Sequence, residues 1–257
     1  MNQSEKRQYL IRYLLNENEQ YQDFPIPSST NEQKDLLRSL VNVRMPQEID
    51  NEFLEVQDAY LQEELNERGI TDYKDLESMQ DHIYLWQGDI TTIKCDAIVN
   101  AANSQMTGCY IPCHRCIDNA IHTFAGIQLR NDCDKIIRQQ GHEEPTGSAK
   151  ITPAYNLPCK YVLHTVGPIV RGTLTQNDKD LLASCYRSCL ELANENHLES
   201  IAFCCISTGE FHFPNEEAAK IAIETVKQFK NDTHSNIDVI FNVFKDEDYT
   251  IYERLLK

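Results

Sequence analysis

The chain has 257 residues, of which 41% are hydrophobic and 25% are charged, a composition typical of a folded globular protein rather than a disordered one. Forty acidic residues against 24 basic ones leave a net charge of −16, which repels phosphate backbones and argues against a nucleic-acid-binding surface. Because no long apolar run occurs and the first residues lack the apolar stretch of a secretory signal, we expect a cytoplasmic protein that does not enter a membrane.

Residues 1–80 contain no cysteine, carry a net charge of −9 and show apolar residues at helical spacing. Ser29 and Glu32 have the spacing of a capping box at the start of one helix, and a longer helix is predicted from Glu48 to Arg68, ended by Gly69. Since this segment offers no candidate catalytic group, we expect an acidic helical extension that folds against the rest of the chain and shapes access to its pocket. The plain alternative is that these helices only cover an apolar face.

From residue 82 to residue 257, short apolar runs typical of buried strands alternate with helical periods. Strands are predicted at 83–86, 97–99, 149–152, 161–166, 201–206 and 237–244, and helices at 117–140, 181–196, 216–230 and 248–255. Strands separated by helices predict an α/β sandwich with helices on both faces of the sheet. Ligands of such sheets bind in the loops at the carboxyl ends of the strands.

Two of these loops carry polar residues suited to a nucleotide. Asp89, in Gly88–Thr91, follows the first predicted strand and can accept a hydrogen bond from an exocyclic amine, although a Gly-Asp pair is also a common turn. Asn100 and Asn103 end the second strand. Their amides both donate and accept, which suits either ribose hydroxyls or the capping of local backbone.

The most informative loop contains three thiols and an imidazole within eight residues: Cys109, Cys113, His114 and Cys116. Thiolate and imidazole are the ligands that zinc prefers. Four ligands would close a structural site, whereas three would leave a position open for water or substrate. The Cys-x-x-Cys spacing of Cys113 and Cys116 is also compatible with a metal-free redox pair.

Two further positions favour negative charge: the start of the helix after the cysteine loop and a loop of small residues after a predicted strand. Asp118, with Asn119 beside it, lies in the first turn of the helix after the cysteine loop, where the helix dipole favours negative charge. After the strand at 201–206 comes a loop of small residues whose consecutive backbone amides suit a phosphate. The residues of this loop are Ser207, Thr208, Gly209, Glu210 and Phe211.

The ordered series GDIT, DAIVNAANS, IDNAIHTFAG and ISTGEFHFP resembles the macrodomain family of ADP-ribose-binding and ADP-ribose-hydrolysing proteins over residues 82–257. The loop GCYIPCHRCID replaces the usual glycine-rich loop and resembles the zinc-dependent class, which is often associated with a sirtuin-type ADP-ribosyltransferase. The resemblance implies a three-layer α/β/α macrodomain with a helical N-terminal extension. It also implies one zinc ion per chain on Cys109, His114 and Cys116, with Cys113 as a bystander.

By position, the resemblance implies that Asp89 reads the adenine and that Asp118 and Asn103 act at the distal ribose as catalytic residues. The other ligand-binding residues that it implies are Ile90, Asn100, Asn119, Ser207, Thr208, Gly209, Glu210 and Phe211. Because the glycine-rich loop is replaced, the metal-free mechanism of ordinary macrodomains is not expected to apply.

We therefore expect a zinc-dependent ADP-ribosylhydrolase that removes mono-ADP-ribose from a modified protein, with an ester to an acidic side chain as the bond broken. A functional link to a sirtuin-type ADP-ribosyltransferase is also expected. The alternatives are a non-catalytic ADP-ribose reader, a hydrolase of free O-acetyl-ADP-ribose and a redox-sensing zinc protein. Turnover of an ADP-ribosylated protein distinguishes the first expectation from a reader, which binds ADP-ribose without releasing it from a protein.

Overall fold

The computed structural model describes residues 1–257 and contains eight helices and nine strands. The helices are α1 (Gln3–Asn16), α2 (Thr30–Val43), α3 (Asn51–Arg68), α4 (Ile117–Ala125), α5 (Ile127–Gln140), α6 (Gln176–Glu195), α7 (Asn215–Thr233) and α8 (Asp246–Leu256). The strands are β1 (Thr71–Asp72), β2 (Ser78–Gln80), β3 (Ile83–Gln87), β4 (Ile93–Lys94), β5 (Ala97–Ala102), β6 (Ala149–Pro153), β7 (Tyr161–Val166), β8 (Ser200–Phe203) and β9 (Asp238–Val243). None of the eight helices is both long enough and apolar enough to cross a membrane.

Seven strands form one mixed sheet in the order β2-β3-β9-β8-β5-β7-β6. The five central strands are parallel, and the two edge strands are antiparallel to their neighbours. Residues 97–99 of β5 are fully buried, as expected for a parallel strand that is covered by helices on both faces. The predicted α/β/α sandwich with a helical N-terminal segment is confirmed, and the carboxyl ends of β3, β5 and β8 lie at the same edge of the sheet.

The three N-terminal helices have a small apolar core of their own. Ser29 caps α2 by accepting a hydrogen bond from the Glu32 amide at 3.2 Å, and α3 begins after Asp50, slightly later than predicted, and ends at Gly69 as predicted. The core contains one residue of α5, which joins it to the rest of the molecule. Its buried members are Leu10, Ile11, Leu14, Leu15, Leu37, Leu40, Phe53, Val56, Tyr60, Leu61 and Ile127.

The last part of the predicted extension belongs to the β-structure rather than to these helices. Strand β1 pairs with β4 in a separate two-stranded sheet, and β2 forms one edge of the main sheet. The helical part of residues 1–80 therefore ends at Gly69, where the backbone turns with a φ of +83°.

The single helix predicted over 117–140 is wrong, because the chain forms two helices that meet at Gly126. Gly126 has a φ of +102° and a ψ of 168°, which is not helical. Backbone groups beside the break find partners outside the helix: the Ala125 carbonyl accepts from the Asn156 side chain at 3.0 Å, and the Ile127 amide donates to Gln57 at 3.0 Å. The apolar spacing continues through this break, so the periodicity alone did not reveal it.

Replacing Gly126 by alanine is expected to lower the free energy of unfolding by about 3 kcal/mol, because its backbone conformation is accessible almost only to glycine and the new Cβ would lie 2.6 Å from Gln128 and 2.7 Å from Gln57. Gly141 also has a positive φ, of +79°, but nothing lies within 4 Å of its would-be Cβ. Gly141→Ala is therefore the matched control, with an expected loss of about 1 kcal/mol. Urea unfolding measures both, and equal losses would contradict the steric part of this account.

Candidate active site

Asp118, the second residue of α4, is a buried carboxylate at the carboxyl edge of the sheet, with 5% of its surface exposed. Its Oδ1 atom accepts a hydrogen bond from Asn100 Nδ2 at 2.8 Å and lies 3.5 Å from His122 Nε2. Burial raises the pKa of Asp118 to about 6, against the opposing effects of the Asn100 hydrogen bond and the Arg130 charge. The site thus contains a carboxyl group at a helix start, held by the sheet beneath it.

A buried hydrogen-bonded chain supports that carboxyl group from behind. Asn100 Nδ2 lies 3.2 Å from His164 Nδ1, and His164 Nε2 lies 2.9 Å from Thr152 Oγ1. Burial lowers the pKa of His164 to about 3, so the ring is neutral and accepts at Nδ1 from Asn100. These hydrogen bonds run from β6 through β7 and β5 to α4. They fix the orientation of the Asn100 side chain, so that its NH₂ group rather than its oxygen points at Asp118.

A second group of nitrogen and sulfur atoms lies close enough together to be considered as a metal site. It consists of His122, Cys133 and His164. Both ring nitrogens of His164 already take part in the chain described above, and all three side chains are buried. Burial, with the nearby His164 and Arg130, lowers the pKa of His122 well below its usual value. We interpret this group as neutral packing beneath Asp118.

Asn103 connects the end of β5 to the cysteine loop. Its Nδ2 donates to the Gly108 carbonyl at 3.0 Å and lies 3.5 Å from Asp118 Oδ2, while its Oδ1 accepts from the Gln105 amide. Gly108 has a φ of +83°, and a Cβ there would lie 2.8 Å from the His122 ring. The loop therefore begins immediately against Asp118 and His122, where only glycine fits.

The structure brings Cys109, His114 and Cys116 together, with their ligand atoms within 4.8 Å of one another. His114 Nδ1 lies 3.6 Å from Cys109 Sγ, so this ring nitrogen faces the sulfur atoms. The other nitrogen, Nε2, faces Glu210, whose Oε1 is 3.9 Å away. These three side chains are half-buried, and they can present two thiolates and one imidazole to a single ion.

The donor set fits zinc. Cys116 is the N-cap of α4, and its sulfur accepts from the Asn119 amide at 3.4 Å. Burial raises the pKa of Cys116 to about 12, and the neighbouring Cys109 sulfur adds to that rise. Neighbouring thiolates at this position would be stabilised by a cation, and three N and S ligands with a fourth position open are the usual pattern of catalytic zinc.

Cys113 lies in the same loop but faces away from the other two sulfurs. Its sulfur lies 3.3 Å from Ser39 Oγ and donates to the Asp35 carbonyl at 3.4 Å, both on α2. Its φ is +52°, which turns the chain between Cys109 and Cys116. This geometry favours the three-ligand arrangement over the four-ligand one.

Asn119, which the resemblance implied as a ligand-binding residue, is fully buried and uses its side chain to hold the loop. Its Oδ1 accepts from Arg38, and its Nδ2 donates to the Ile111 carbonyl at 3.1 Å and the Cys109 carbonyl at 3.5 Å. Both ends of the amide are thus engaged with the protein.

The loop after β8 presents three consecutive backbone N–H groups, of Gly209, Glu210 and Phe211, that donate to no protein atom. Ser207 is buried with a φ of +65°, and Thr208 Oγ1 donates to the Cys205 carbonyl at 3.1 Å. The Phe211 carbonyl is held by the Val170 amide at 2.9 Å. Consecutive backbone N–H groups without a protein partner suit an anion such as a phosphate.

Asp89 lies at the other end of this edge, after β3. Its Oδ1 accepts from the Thr91 amide at 2.9 Å, which caps the short turn that begins at the buried Ile90. Its Oδ2 accepts from Arg68 Nη1 at 3.0 Å, and the Arg68 guanidinium lies 3.7 Å from the centre of the Phe124 ring. With 41% of its side chain exposed, Asp89 also faces solvent.

Three residues with a part in this site were missed by the sequence analysis: Arg38, Arg68 and His164. Arg38 and Arg68 lie in the N-terminal helices and reach the site only through tertiary contacts. His164 lies inside an apolar run, where a buried polar residue in a predicted strand was the one available indication.

Residues 99–222 match the Macro domain family. The chain is 58% identical to a protein-ADP-ribose hydrolase of Treponema medium, with 100% of both chains covered, and 51% identical to one of Staphylococcus aureus strain MSSA476, covering 96% of this chain and 93% of that one. The structure of a Trypanosoma brucei macrodomain in complex with ADP-ribose is similar, with a TM-score of 0.67 and 30% identity over 86% of this chain and 95% of that one.

The neutral state of His164 predicts how stability responds to acid. Since burial lowers its folded pKa to about 3 from about 6.5 in the unfolded chain, its contribution is complete above pH 6.5 and is lost as the pH falls towards 3. Between pH 7.5 and 5.5, this group alone should remove about 1.4 kcal/mol of unfolding free energy. His164→Gln should lack that part of the loss.

Urea unfolding at both pH values, with a chelator present, measures this difference. The exposed His142 offers a matched control, because His142→Gln should keep the wild-type dependence on pH. If His164→Gln loses as much stability between pH 7.5 and 5.5 as the wild type, His164 is not the neutral buried group described here.

Proposed function

Because the chain belongs to the macrodomain family of protein-ADP-ribose hydrolases, we propose that it removes mono-ADP-ribose from a protein side chain with the help of one zinc ion. The observation that carries the proposal is the position of Cys109, His114 and Cys116 in the loop that ends at Asp118. The three candidate metal ligands thus precede the start of α4, and the buried carboxyl group of Asp118 follows it in the first turn.

The nucleotide part of the substrate is held along the carboxyl edge of the sheet. Asp89 accepts from the adenine amine, and Ile90 supplies a backbone amide. The free amides at 209–211 hold the pyrophosphate, since consecutive N–H groups bind anions without any net positive charge. This local binding is needed because the chain as a whole has a charge of −16 and its long-range field disfavours a diphosphate.

Cys109, His114 and Cys116 would hold the zinc ion, with the Glu210 carboxylate 3.9 Å from the second nitrogen of His114. When bound, zinc would supply Lewis-acid polarisation of a substrate oxygen. Asn103 holds the start of the loop through the Gly108 carbonyl, which keeps the loop at a constant position relative to the ribose.

Asp118 is the residue that would orient the reacting water or ribose hydroxyl and accept its proton. Its Oδ1 atom is held by Asn100 at 2.8 Å, whereas Oδ2 has only a long 3.5 Å contact with Asn103. Oδ2 is therefore the atom left for the substrate. A carboxylate fixed through one oxygen presents the other at a defined position, which is what general base catalysis requires.

We propose an ester between C1″ of the distal ribose and an acidic side chain as the bond broken. Water adds across that ester and gives ADP-ribose and the free carboxyl group. A carboxylate with a pKa near 4 departs without being protonated, whereas an amine or alkoxide needs a proton from a general acid. Asp118, which serves as the base here, is the only buried carboxyl group that the structure holds beside the metal-ligand set.

The proposal is tested by incubating the zinc-loaded protein with aspartate-, serine- and arginine-linked ADP-ribosyl proteins and with free O-acetyl-ADP-ribose, and following release of ADP-ribose. A protein modified by a sirtuin-type ADP-ribosyltransferase belongs in the same panel, since we propose that such an enzyme supplies the substrate. Release from the aspartate-linked protein supports the proposal. Turnover of O-acetyl-ADP-ribose alone would identify a metabolite hydrolase instead.

Replacing a metal ligand is expected to remove both zinc and activity. Cys109→Ser, His114→Gln and Cys116→Ser should each hold less than about a tenth of the wild-type zinc, because two remaining ligands bind zinc weakly. Cys116→Ser retains a good helix N-cap, so its loss of metal is not a loss of α4. Zinc is measured by atomic emission after dialysis.

Cys113→Ser is the matched control in the same loop and should keep zinc and activity close to wild type. If Cys113→Ser loses zinc as thoroughly as Cys116→Ser, the site has four protein ligands and is structural.

Asp118→Asn is expected to slow ADP-ribose release by about 10²–10⁴-fold while zinc content and ADP-ribose affinity stay within a few fold of wild type. The amide keeps the size of the side chain but accepts no proton at Oδ2. Single-turnover release and calorimetric titration with ADP-ribose measure the two effects. Asp134→Asn on α5, whose carboxylate pairs with Arg138 of the same helix at 2.7 Å, serves as the control, and a near-normal rate for zinc-replete Asp118→Asn would remove Asp118 from the mechanism.

A further inference from the structure

Helix α2 of the N-terminal segment lies directly against the loop that carries Cys109, His114 and Cys116. Arg38, on α2, reaches the loop with its guanidinium: Nη2 donates to the His114 carbonyl at 3.0 Å, and Nε and Nη2 donate to Asn119 Oδ1 at 3.1 and 2.7 Å. Asn119 in turn donates to two carbonyls of the loop. One arginine side chain thus joins the middle of the loop to the start of α4.

Asn42, one turn further along α2, makes a second attachment. It is fully buried, its Oδ1 accepts from the Cys113 amide at 3.0 Å, and its Nδ2 donates to Thr123 Oγ1 at 3.0 Å. Ser39 lies 3.3 Å from the Cys113 sulfur. The turn of the loop between its metal-ligand residues is therefore held by the same face of α2.

The C-terminal end of α2 is itself fixed to the core. Arg130 of α5 donates from Nη1 to the carbonyls of Val41, Asn42 and Arg44 at 3.0, 2.8 and 2.6 Å, and its guanidinium lies 4.4 Å from the centre of the Tyr110 ring. Arg130 contacts both the end of α2 and the loop, so α2 cannot move without disturbing the loop.

We infer that α2 is part of the metal-binding unit and that Arg38 is a positioning residue, which orders the loop before the metal binds. The inference rests on the proposed function insofar as the loop holds zinc. Between Gly108 and Cys116 the chain forms neither helix nor strand, so its order depends on contacts from outside. A loop that is ordered in advance binds its metal more tightly, because ordering does not then have to accompany binding.

The geometry of the contact assigns the effect to shape rather than to charge. The planar guanidinium presents Nε and Nη2 in a fixed geometry to the Asn119 oxygen and the His114 carbonyl, whereas a lysine ammonium is a single point of charge on a flexible stem. A positive charge beside a zinc site would itself weaken binding of the cation. Arg38→Lys keeps the charge and loses this double contact, and it is therefore the informative substitution.

The test compares Arg38→Ala and Arg38→Lys with Arg12→Ala, a control on α1 whose guanidinium contacts only Gln8 in the same helix. Cobalt(II) is titrated into each metal-free protein, and the thiolate-to-metal charge-transfer absorption gives the affinity. Arg38→Ala is expected to weaken cobalt binding by about 10- to 100-fold, with Arg38→Lys between it and the wild type. Arg12→Ala should match the wild type.

A second measurement, hydrogen exchange of the metal-free proteins, does not depend on metal. The amides of 109–116 should exchange about tenfold faster in Arg38→Ala, while those of α1 and α3 keep their protection. If α1 and α3 lose protection, the segment has unfolded, and the decision passes to Arg38→Lys.

Unchanged cobalt affinity together with unchanged loop exchange in the Arg38 variants overturns the inference. Full rescue by Arg38→Lys also overturns it, because charge would then be sufficient. A wild-type protein that binds no metal overturns the zinc part of the proposed function, and the exchange data alone then decide whether Arg38 orders the loop.

Discussion

The hydrogen bond from Asn100 Nδ2 to Asp118 Oδ1 connects the centre of the sheet to the first turn of α4. A carboxyl group that is buried this deeply is unstable as an anion unless donors surround it, and Asn100 is the donor that the sheet supplies. Because the His164 ring accepts from the same nitrogen, the amide is held with its N–H groups towards Asp118. The cysteine loop ends at Asp118, so this one contact also determines where the metal-ligand set lies relative to the sheet.

This arrangement places three kinds of chemistry along one edge without a large positive surface. Free backbone amides at 209–211 suit an anion, and the thiol and imidazole groups of Cys109, His114 and Cys116 suit a cation. The Asp118 carboxyl group lies beside these thiol and imidazole groups. Each depends on short-range contacts, which act in spite of the acidic field of the whole chain. A site built in this way tolerates a net charge of −16, since the field of distant carboxylates is screened over about 10 Å at ordinary salt concentrations.

The sequence permits prediction of the parallel sheet and of the loop sites, because both depend on local patterns. Strand β7 was predicted with its observed bounds, and the family resemblance implied the group of Cys109, His114 and Cys116 that the structure brings together. The short edge strands β1, β2 and β4 were missed, since two or three residues show no usable alternation. The break at Gly126 was also missed, because its cause is tertiary: Gln57 and Asn156 replace the helical hydrogen bonds from distant parts of the chain.

The same limit applies to the N-terminal helices, which were expected to shape access to the pocket but whose contacts with the site could not be predicted. Their composition indicates acidic, amphipathic helices and no catalytic group, and both observations hold. A segment that only covered an apolar face would need no polar contact with the site, yet Arg38 contacts the cysteine loop at one end and Arg68 contacts Asp89 at the other. These pairs are separated by 76 and 21 residues along the chain, and no local pattern connects them.

The contact between Arg68 and Asp89 orients the Asp89 carboxylate. Its Oδ1 atom is occupied by the Thr91 amide and hydroxyl, and its Oδ2 atom accepts from Arg68. A carboxylate has about four acceptor positions, so one remains on Oδ2, and the exposed part of the side chain keeps that position open to a ligand. Arg68, stacked on Phe124, holds the carboxylate in that orientation. The helical segment therefore fixes the Asp89 carboxylate at one end of the edge and the cysteine loop at the other, and the separation of the two ends depends on α1, α2 and α3 remaining packed as one unit.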